Sequence, residues 1–355
     1  MEIWWKFRYI DKRNSSALRR WVYMKKILII GTGGTIASGN MGEGLTPVLT
    51  TEQLLNFVPS VREICHVECV QPFSMDSTNI CPEHWVQLAI LLREQYDRYD
   101  GFVICHGTDT MAYTAAALSY LVQGAQKPVI LTGAQKPISF DSTDSKINLT
   151  DAVICASSDT LHGVMVVFNG KVIQGTRACK TNSKSYEAFS SINYPYLGVL
   201  RDGRLFPYIE NGYFDKPVFY DRLDSRVALL KLIPGTKCSL VSYMLEQNDA
   251  LIIEAFGVGG LPDYAGNDLL SVIEDGVKNG KTVVLTTQVQ NEGSDIRVYQ
   301  VGYRAYQCPR ILEAFDMTTE AVCAKLMWIL ARTDDMKSIQ KLFYTPVSND
   351  IFDYS

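Results

Sequence analysis

Short apolar runs rich in β-branched residues recur along this chain, each closing on small or hydroxylated residues. The first is Ile27-Leu28-Ile29-Ile30, preceded by Lys25-Lys26 and followed by Gly31-Thr32-Gly33-Gly34-Thr35-Ile36-Ala37. An uninterrupted apolar run bounded by turn formers predicts a strand buried on both faces. Further strands are predicted at 67–73, 101–106, 129–132 and 164–168, with helices at 51–58, 112–122 and 146–157. Trp85, Leu88, Leu91, Leu92 and Tyr96 recur at helical spacing behind Pro82, which suits a first helical turn. That stripe reads as a core face.

Strand, loop and helix thus alternate at regular intervals. The alternation predicts an α/β fold, with a larger N-terminal doubly wound, mostly parallel sheet and right-handed crossovers. Residues 171–175 read as a hairpin arm, and 201–224, irregular and broken by Gly and Pro, as a linker. A smaller C-terminal α/β domain follows, with strands at 227–232, 251–253 and 282–285 and an amphipathic helix at 321–332. The expected division is a leader at 1–23, an N-terminal domain at 24–200, the linker at 201–224 and a C-terminal domain at 225–355. The leader mixes Trp4, Trp5, Phe7, Tyr9 and Trp21 with six Lys and Arg residues and shows no period. It lacks the apolar stretch of a secretory signal. Met24 is the expected start, with 1–23 as over-translated upstream sequence.

Composition narrows the class. The chain has 355 residues, is 47% hydrophobic and carries a net charge of −4. That balance gives no electrostatic case for nucleic acid or an anionic membrane as partner. No apolar run approaches the length that spans a bilayer. Nine cysteines without a C-x-x-C pair, and four histidines without ligand spacing, read as reduced thiols in a cytoplasmic protein with no metal.

Chemistry concentrates at three strand ends. They present Thr32 and Thr35, then Asp76, Ser77 and Thr78, then Thr108 and Asp109. Ligands of open α/β sheets collect at the carboxyl ends of strands. A dinucleotide-binding loop is the rival reading of the first. Gly31-Thr32-Gly33 supplies two of its glycines, but Ile36 stands where close packing wants a third, and 37–44 reads as loop rather than helix. A hydroxyl-presenting loop fits better, and the hydroxyls of Thr32 and Thr35 are both expected at the mouth of a site. A lone threonine after a strand is usually a cap or turn residue. Three such loops, together with Lys180, suggest catalysis. A threonine needs a base, and a lysine amine oriented by a carboxylate can act as one. Thr108, Lys180 and Asp109 form a plausible relay; the alternative is that Lys180 is a solvated surface lysine.

Thr32-Gly33-Gly34-Thr35-Ile36-Ala37 and His106-Gly107-Thr108-Asp109-Thr110-Met111 resemble the two signature motifs of the asparaginase/glutaminase family. Met75-Asp76-Ser77-Thr78, Lys180, Phe256-Gly257-Val258-Gly259-Gly260 and Asp316-Met317-Thr318 agree with it. The resemblance runs from about Met24 to near the C-terminus and is nearest to the type I, cytoplasmic L-asparaginases. It implies hydrolysis of L-asparagine to aspartate and ammonia, without a cofactor, in a homodimer or homotetramer. Thr35 would be the nucleophile, with Thr108, Asp109 and Lys180 as a second catalytic group. Asp76, Ser77, Thr108 and Asp109 would bind the substrate. Backbone amides around Thr108, with Ala134 or its neighbours, would form an oxyanion hole.

One position departs from the pattern. Many members carry a tyrosine on the loop after the first motif; here that stretch is Gly44-Leu45-Thr46-Pro47. Thr46, Tyr299 or a tyrosine from a second subunit could stand in for it. The loop 39–47 contains Gly39, Gly42 and Gly44 and is expected to be a mobile lid. Two other functions share the motifs. One is the asparaginase-like subunit of a tRNA-dependent amidotransferase, which carries a sizeable N-terminal domain for which 1–23 is too short. The other is a non-catalytic amino-acid sensor, for which two hydroxyls and an amine exceed what binding requires.

Overall fold

Alternate residues of the first strand, β1 (Lys26–Gly31), feed two different cores. Leu28 and Ile30 pack with Phe102 and Ile104 on one face, and Ile27 and Ile29 with Val103 and Cys105 on the other. Such a strand has helices above and below, and so reads as continuously apolar. The computed structural model describes residues 24–40, 45–209, 216–264, 266–298, 300–308 and 310–352. The leader expected at 1–23 lies outside them.

Beside β1 lie β2 (His66–Val70), β3 (Gly101–Cys105), β4 (Pro128–Thr132) and β5 (Gly163–Phe168), all parallel. The chain then reverses into β6 (Lys171–Gln174), antiparallel to β5, as the expected hairpin arm. A small separate ribbon pairs β7 (Ala178–Lys180) with β8 (Phe189–Ser191). Two more antiparallel strands, β9 (Gly198–Arg201) and β10 (Arg204–Pro207), complete an eight-stranded sheet of order β10-β9-β6-β5-β4-β3-β1-β2. The first sheet thus continues into the stretch read as a linker. The reason is local: Asp202 and Gly203 have φ of 50° and 68°, the paired positive values of a tight hairpin turn.

Helices α1 (Thr51–Asn56) and α4 (Ser145–Ala156) cover one face of this sheet. Helices α2 (Pro82–Gln95) and α3 (Met111–Leu121) cover the other. Trp85, Leu88 and Leu92 of α2 are buried there with Tyr96, as their spacing predicts.

The second unit is a four-stranded parallel sheet, β11 (Val227–Lys231), β12 (Ala250–Ala255), β13 (Thr282–Thr287) and β14 (Ile311–Glu313), in that order. Helices α5 (Cys238–Gln247) and α6 (Leu269–Lys278) pack on one face. On the other, α7 (Thr319–Leu330) joins Ile252, Val284 and Leu312 to the core around α3. One apolar cluster therefore runs through both units. Buried ion pairs reinforce the junction: Arg177 with Asp316 at 2.7 Å, and Lys325 with Asp350 at 2.7 Å. Tyr120 donates to Asp350 at 2.8 Å, and the Thr176 hydroxyl donates to the Ser348 carbonyl at 2.7 Å. The final described segment is thereby tied against the turn that leads into β7.

Among the described residues no helix is long and apolar enough to cross a membrane. The nine cysteines are all free thiols.

Candidate active site

The site is built where β1 and β3 end side by side, with Gly31 in register with Cys105. Thr32 is absorbed into that junction. Its backbone N–H and its hydroxyl both donate to the Cys105 carbonyl at 3.0 Å, and only 2% of the residue is exposed. Contrary to the expectation from its position, this hydroxyl does not face the mouth; it takes the place of a ladder partner as the strand ends.

The two glycines that follow hold three loops together. Gly33 has φ of 101°, and a Cβ there would lie 2.5 Å from the Met75 backbone nitrogen. Gly34 has φ of 77°, and its Cβ would lie 2.4 Å from the Gly107 backbone. Gly107 in turn abuts Ser77, whose Oγ a Cβ would meet at 2.6 Å. Gly34 donates to the Met75 carbonyl and Met75 to the Thr32 carbonyl, each at 3.0 Å. Thr35, Thr108 and Ser77 therefore follow backbones in direct contact.

Thr35 opens a 3₁₀ turn, Thr35–Ala37, and is half-buried. Ser38 donates to the Gly34 carbonyl at 2.9 Å and Ile138 to the Ile36 carbonyl at 3.2 Å, which brace the turn from both ends. Beyond it, Ser38–Asn40 and Leu45–Pro47 pair as antiparallel arms with Gly39 opposite Thr46. The tip at 41–44 lies outside the described residues, as does Tyr299, so that the expected lid is described only in its arms.

Lys180 reaches the second loop from β7. Its Nζ donates to the Thr108 hydroxyl at 2.8 Å and to the Asp109 carboxylate at 2.6 Å. The Lys180 side chain is only 17% exposed, against 57% for Asp109. The solvated-lysine alternative is therefore not what the chain adopts. The Thr108 hydroxyl, on a residue 4% exposed, donates onward to Gln135 Oε1 at 3.2 Å. Gln135 Nε2 donates to the Ser185 carbonyl at 3.2 Å.

The Asp76–Ser77 loop closes the other side. Asp76 Oδ1 accepts from the backbone and the hydroxyl of Thr78, both at 2.9 Å, capping the 3₁₀ turn Ser77–Asn79. Ser77 is 3% exposed; its Oγ accepts from the Asp109 N–H at 3.3 Å and its carbonyl accepts from the Thr110 hydroxyl at 2.8 Å. Ala134 is fully buried in the loop after β4.

His106 underlies this floor without facing it. It is fully buried, and burial pushes its imidazole down to about 4, which keeps it neutral. Trp85 Nε1 donates to the Thr114 hydroxyl at 2.9 Å, that hydroxyl to His106 Nε2 at 3.0 Å, and Nδ1 to the Gly107 carbonyl at 2.7 Å. A chain of bonds from the α2 core thus ends on the peptide that carries Thr108. Among the described residues, no group of three or more His, Cys, Asp or Glu side chains could hold a metal ion.

Residues 26–211 match the family model described as asparaginase, N-terminal, and residues 226–343 match the glutaminase/asparaginase C-terminal domain. The chain belongs to the asparaginase family. Among its asparaginase relatives, an L-asparaginase of Thermococcus kodakarensis is 37% identical over 331 residues, covering 92% of this chain and 99% of that protein. A glutamyl-tRNA(Gln) amidotransferase subunit of Pyrococcus horikoshii is 32% identical over 349 residues, covering 94% of this chain and 78% of that protein. The solved thermostable L-asparaginase from Thermococcus kodakarensis superposes with a TM-score of 0.88 at 36% identity, covering 92% of this chain and 99% of that one. L-asparaginase I from Vibrio cholerae superposes with a TM-score of 0.82 at 27% identity, covering 93% and 99% respectively.

In this asparaginase-family chain the structure joins Thr108, Asp109, Lys180 and Ser77 by direct hydrogen bonds. Thr35 stands next to them through the Gly34–Gly107 contact, and Asp76 stands at the neighbouring turn. Sequence reasoning missed Gln135. Its signal was faint: one amide side chain directly after Gly133-Ala134 at a strand end.

Proposed function

We propose that this chain is an L-asparagine amidohydrolase that releases aspartate and ammonia. The carrying observation is the bonded set Thr108–Lys180–Asp109 set against the Thr35 turn at the ends of two adjacent strands. The 37% identity with a protein named L-asparaginase supports the same reading over the amidotransferase subunit, at 32%.

In this reading the Thr35 hydroxyl oxygen attacks the side-chain amide carbon. The carbonyl π electrons move to oxygen, giving a tetrahedral oxyanion, and backbone N–H groups near Thr108 and Ala134 are the donors for it. Collapse breaks the C–N bond, the nitrogen takes the proton that the Thr35 hydroxyl gave up, and ammonia leaves an acyl ester on Thr35. A water molecule, losing its proton toward the Thr108–Lys180 pair, then releases aspartate and restores the hydroxyl. Asp109, whose carboxylate is more than half exposed, receives the substrate ammonium, with Asp76 near it. Ser77 and neighbouring N–H groups receive the α-carboxylate. No cofactor enters these steps. We further read the protein as a cytoplasmic homodimer or homotetramer, a matter for sedimentation.

The test is ammonia release from asparagine and, separately, glutamine by the purified chain. Release from asparagine is expected. Its absence, with a folded protein, would remove the reading.

A further inference from the structure

The one proton of the Thr108 hydroxyl has two acceptors within reach when Lys180 is a neutral amine, and Gln135 Oε1 alone when it is an ammonium. Lys180 Nζ lies at 2.8 Å and Gln135 Oε1 at 3.2 Å. Which one receives it is decided by Gln135. The Gln135 amide cannot be turned round, because its Nε2 faces the Ser185 carbonyl at 3.2 Å and an amide oxygen there would oppose another oxygen. Oε1 therefore faces Thr108. Two partially negative oxygens that face each other are favoured with a proton between them, so that Thr108 donates to Gln135 at 3.2 Å, longer than an ordinary O–H···O bond, and accepts from the Lys180 ammonium.

The glutamine is held firmly in this role. The Asp144 carboxylate accepts from the Gln135 backbone N–H at 2.9 Å, from the Lys136 N–H at 3.1 Å and from Asn148 at 3.2 Å. Asp144 is 6% exposed and precedes the first residue of α4. The loop that carries Gln135 is thus anchored to the body of the sheet, while its side chain bridges to the segment between β7 and β8.

We infer that Gln135 is a positioning residue that turns the Thr108 proton away from Lys180 and so favours the arrangement in which Lys180 keeps its own proton. Its kinetic consequence rests on the amidohydrolase reading. Before Lys180 can accept a proton through Thr108, the ammonium must release one of its own and the hydroxyl must rotate and give up the Gln135 bond. The charged and titratable groups around the pair are Asp109, which accepts from Lys180, Asp144 behind Gln135, and Lys136 stacked 5.5 Å over the Tyr186 ring. None of them touches the Thr108 hydroxyl in place of Gln135.

Two measurements decide it. Neutron diffraction from heavy-water crystals of the unmodified protein should place the Thr108 deuteron on the line to Gln135 Oε1. A Thr108 deuteron pointing at Lys180 Nζ, with none on the line to Gln135 Oε1, would overturn the inference whether or not the protein hydrolyses asparagine. The deuteron that the Lys180 ammonium itself donates toward Thr108 belongs to the expected arrangement. The second is the pH profile of ammonia release by Gln135→Met, which keeps the length of the side chain and removes both polar ends. The acidic limb of kcat/KM should move to lower pH by about 0.7 unit, a fivefold gain on that limb, the worth of one ordinary hydrogen bond. A residue that only held the loop would lower kcat at every pH and leave the limb in place, and that result would also overturn the inference. Should the unmodified protein release no ammonia, the amidohydrolase reading falls and the deuteron position alone decides the role of Gln135.

Discussion

Lys180 donates to the Thr108 hydroxyl at 2.8 Å although 72 residues separate the two. The bond depends on the β6–β7 turn, which places the end of β7 over the loop after β3. If both residues serve catalysis with Thr35, removing any one should abolish turnover without unfolding the protein. Thr35→Ala, Thr108→Val and Lys180→Met are each expected to lower kcat by about three orders of magnitude or more, as for members of a unit. Melting curves should stay within a few degrees of the unmodified protein. A variant keeping over a tenth of the activity would remove its residue from the mechanism.

Gly34 is required by both conformation and space. Its φ of 77° strains any L side chain, and the Gly107 backbone leaves no room for a Cβ. Gly34→Ala is expected to cost more than about 3 kcal/mol and to abolish activity, because strain and overpacking add. Gly203 has φ of 68° with nothing within 4 Å of its Cβ position, so Gly203→Ala carries the conformational term alone, about 1 kcal/mol. Urea unfolding of the two variants compares them directly; equal losses would contradict the steric argument.

Arg177 ties the start of β7, which carries Lys180, to the second unit. The side chain is fully buried, pairs with Asp316 at 2.7 Å and also donates to the Asp316 and Asn349 carbonyls. Arg177→Met leaves the Asp316 charge buried without its partner and is expected to destabilise by about 3–5 kcal/mol. Asp316→Leu in the same background should recover part of that loss. Denaturant midpoints of the single and double variants give the coupling, and simple additivity would argue against a paired charge.

His106 makes stability depend on pH. Its native imidazole lies at about 4, below the ordinary 6.5, because burial disfavours the charged form. Between those values the unfolded chain binds a proton that the native protein does not, so stability falls as pH falls from about 6.5 to about 4 and levels off below. The contribution amounts to roughly 3 kcal/mol at most. An imidazole resonance that stays neutral at pH 5 is the expected result. Titration near 6.5 would contradict the burial argument.

Much of the architecture was legible in local pattern. The continuous apolar run of β1 and the helical stripe from Trp85 to Tyr96 lie where their periods put them, since a period of two or of 3.6 is set by near neighbours in the chain. The glycine turn after β1 and the hydroxyl loops after the parallel strands could likewise be read. The strand β10 could have been read as well: Asp202-Gly203 between two extended segments is a hairpin signal. Other features had no local signature. Thr32 and Thr35 look alike in sequence, yet one is closed off by the Cys105 carbonyl of a neighbouring strand and the other is partly open. Lys180 could have been a surface lysine, and Gln135 carried no mark beyond its place in a loop. Their placement follows from which strand ends the parallel topology sets side by side and from how the Arg177–Asp316 junction places β7. Those contacts join residues far apart in the chain, and no short window of sequence records them.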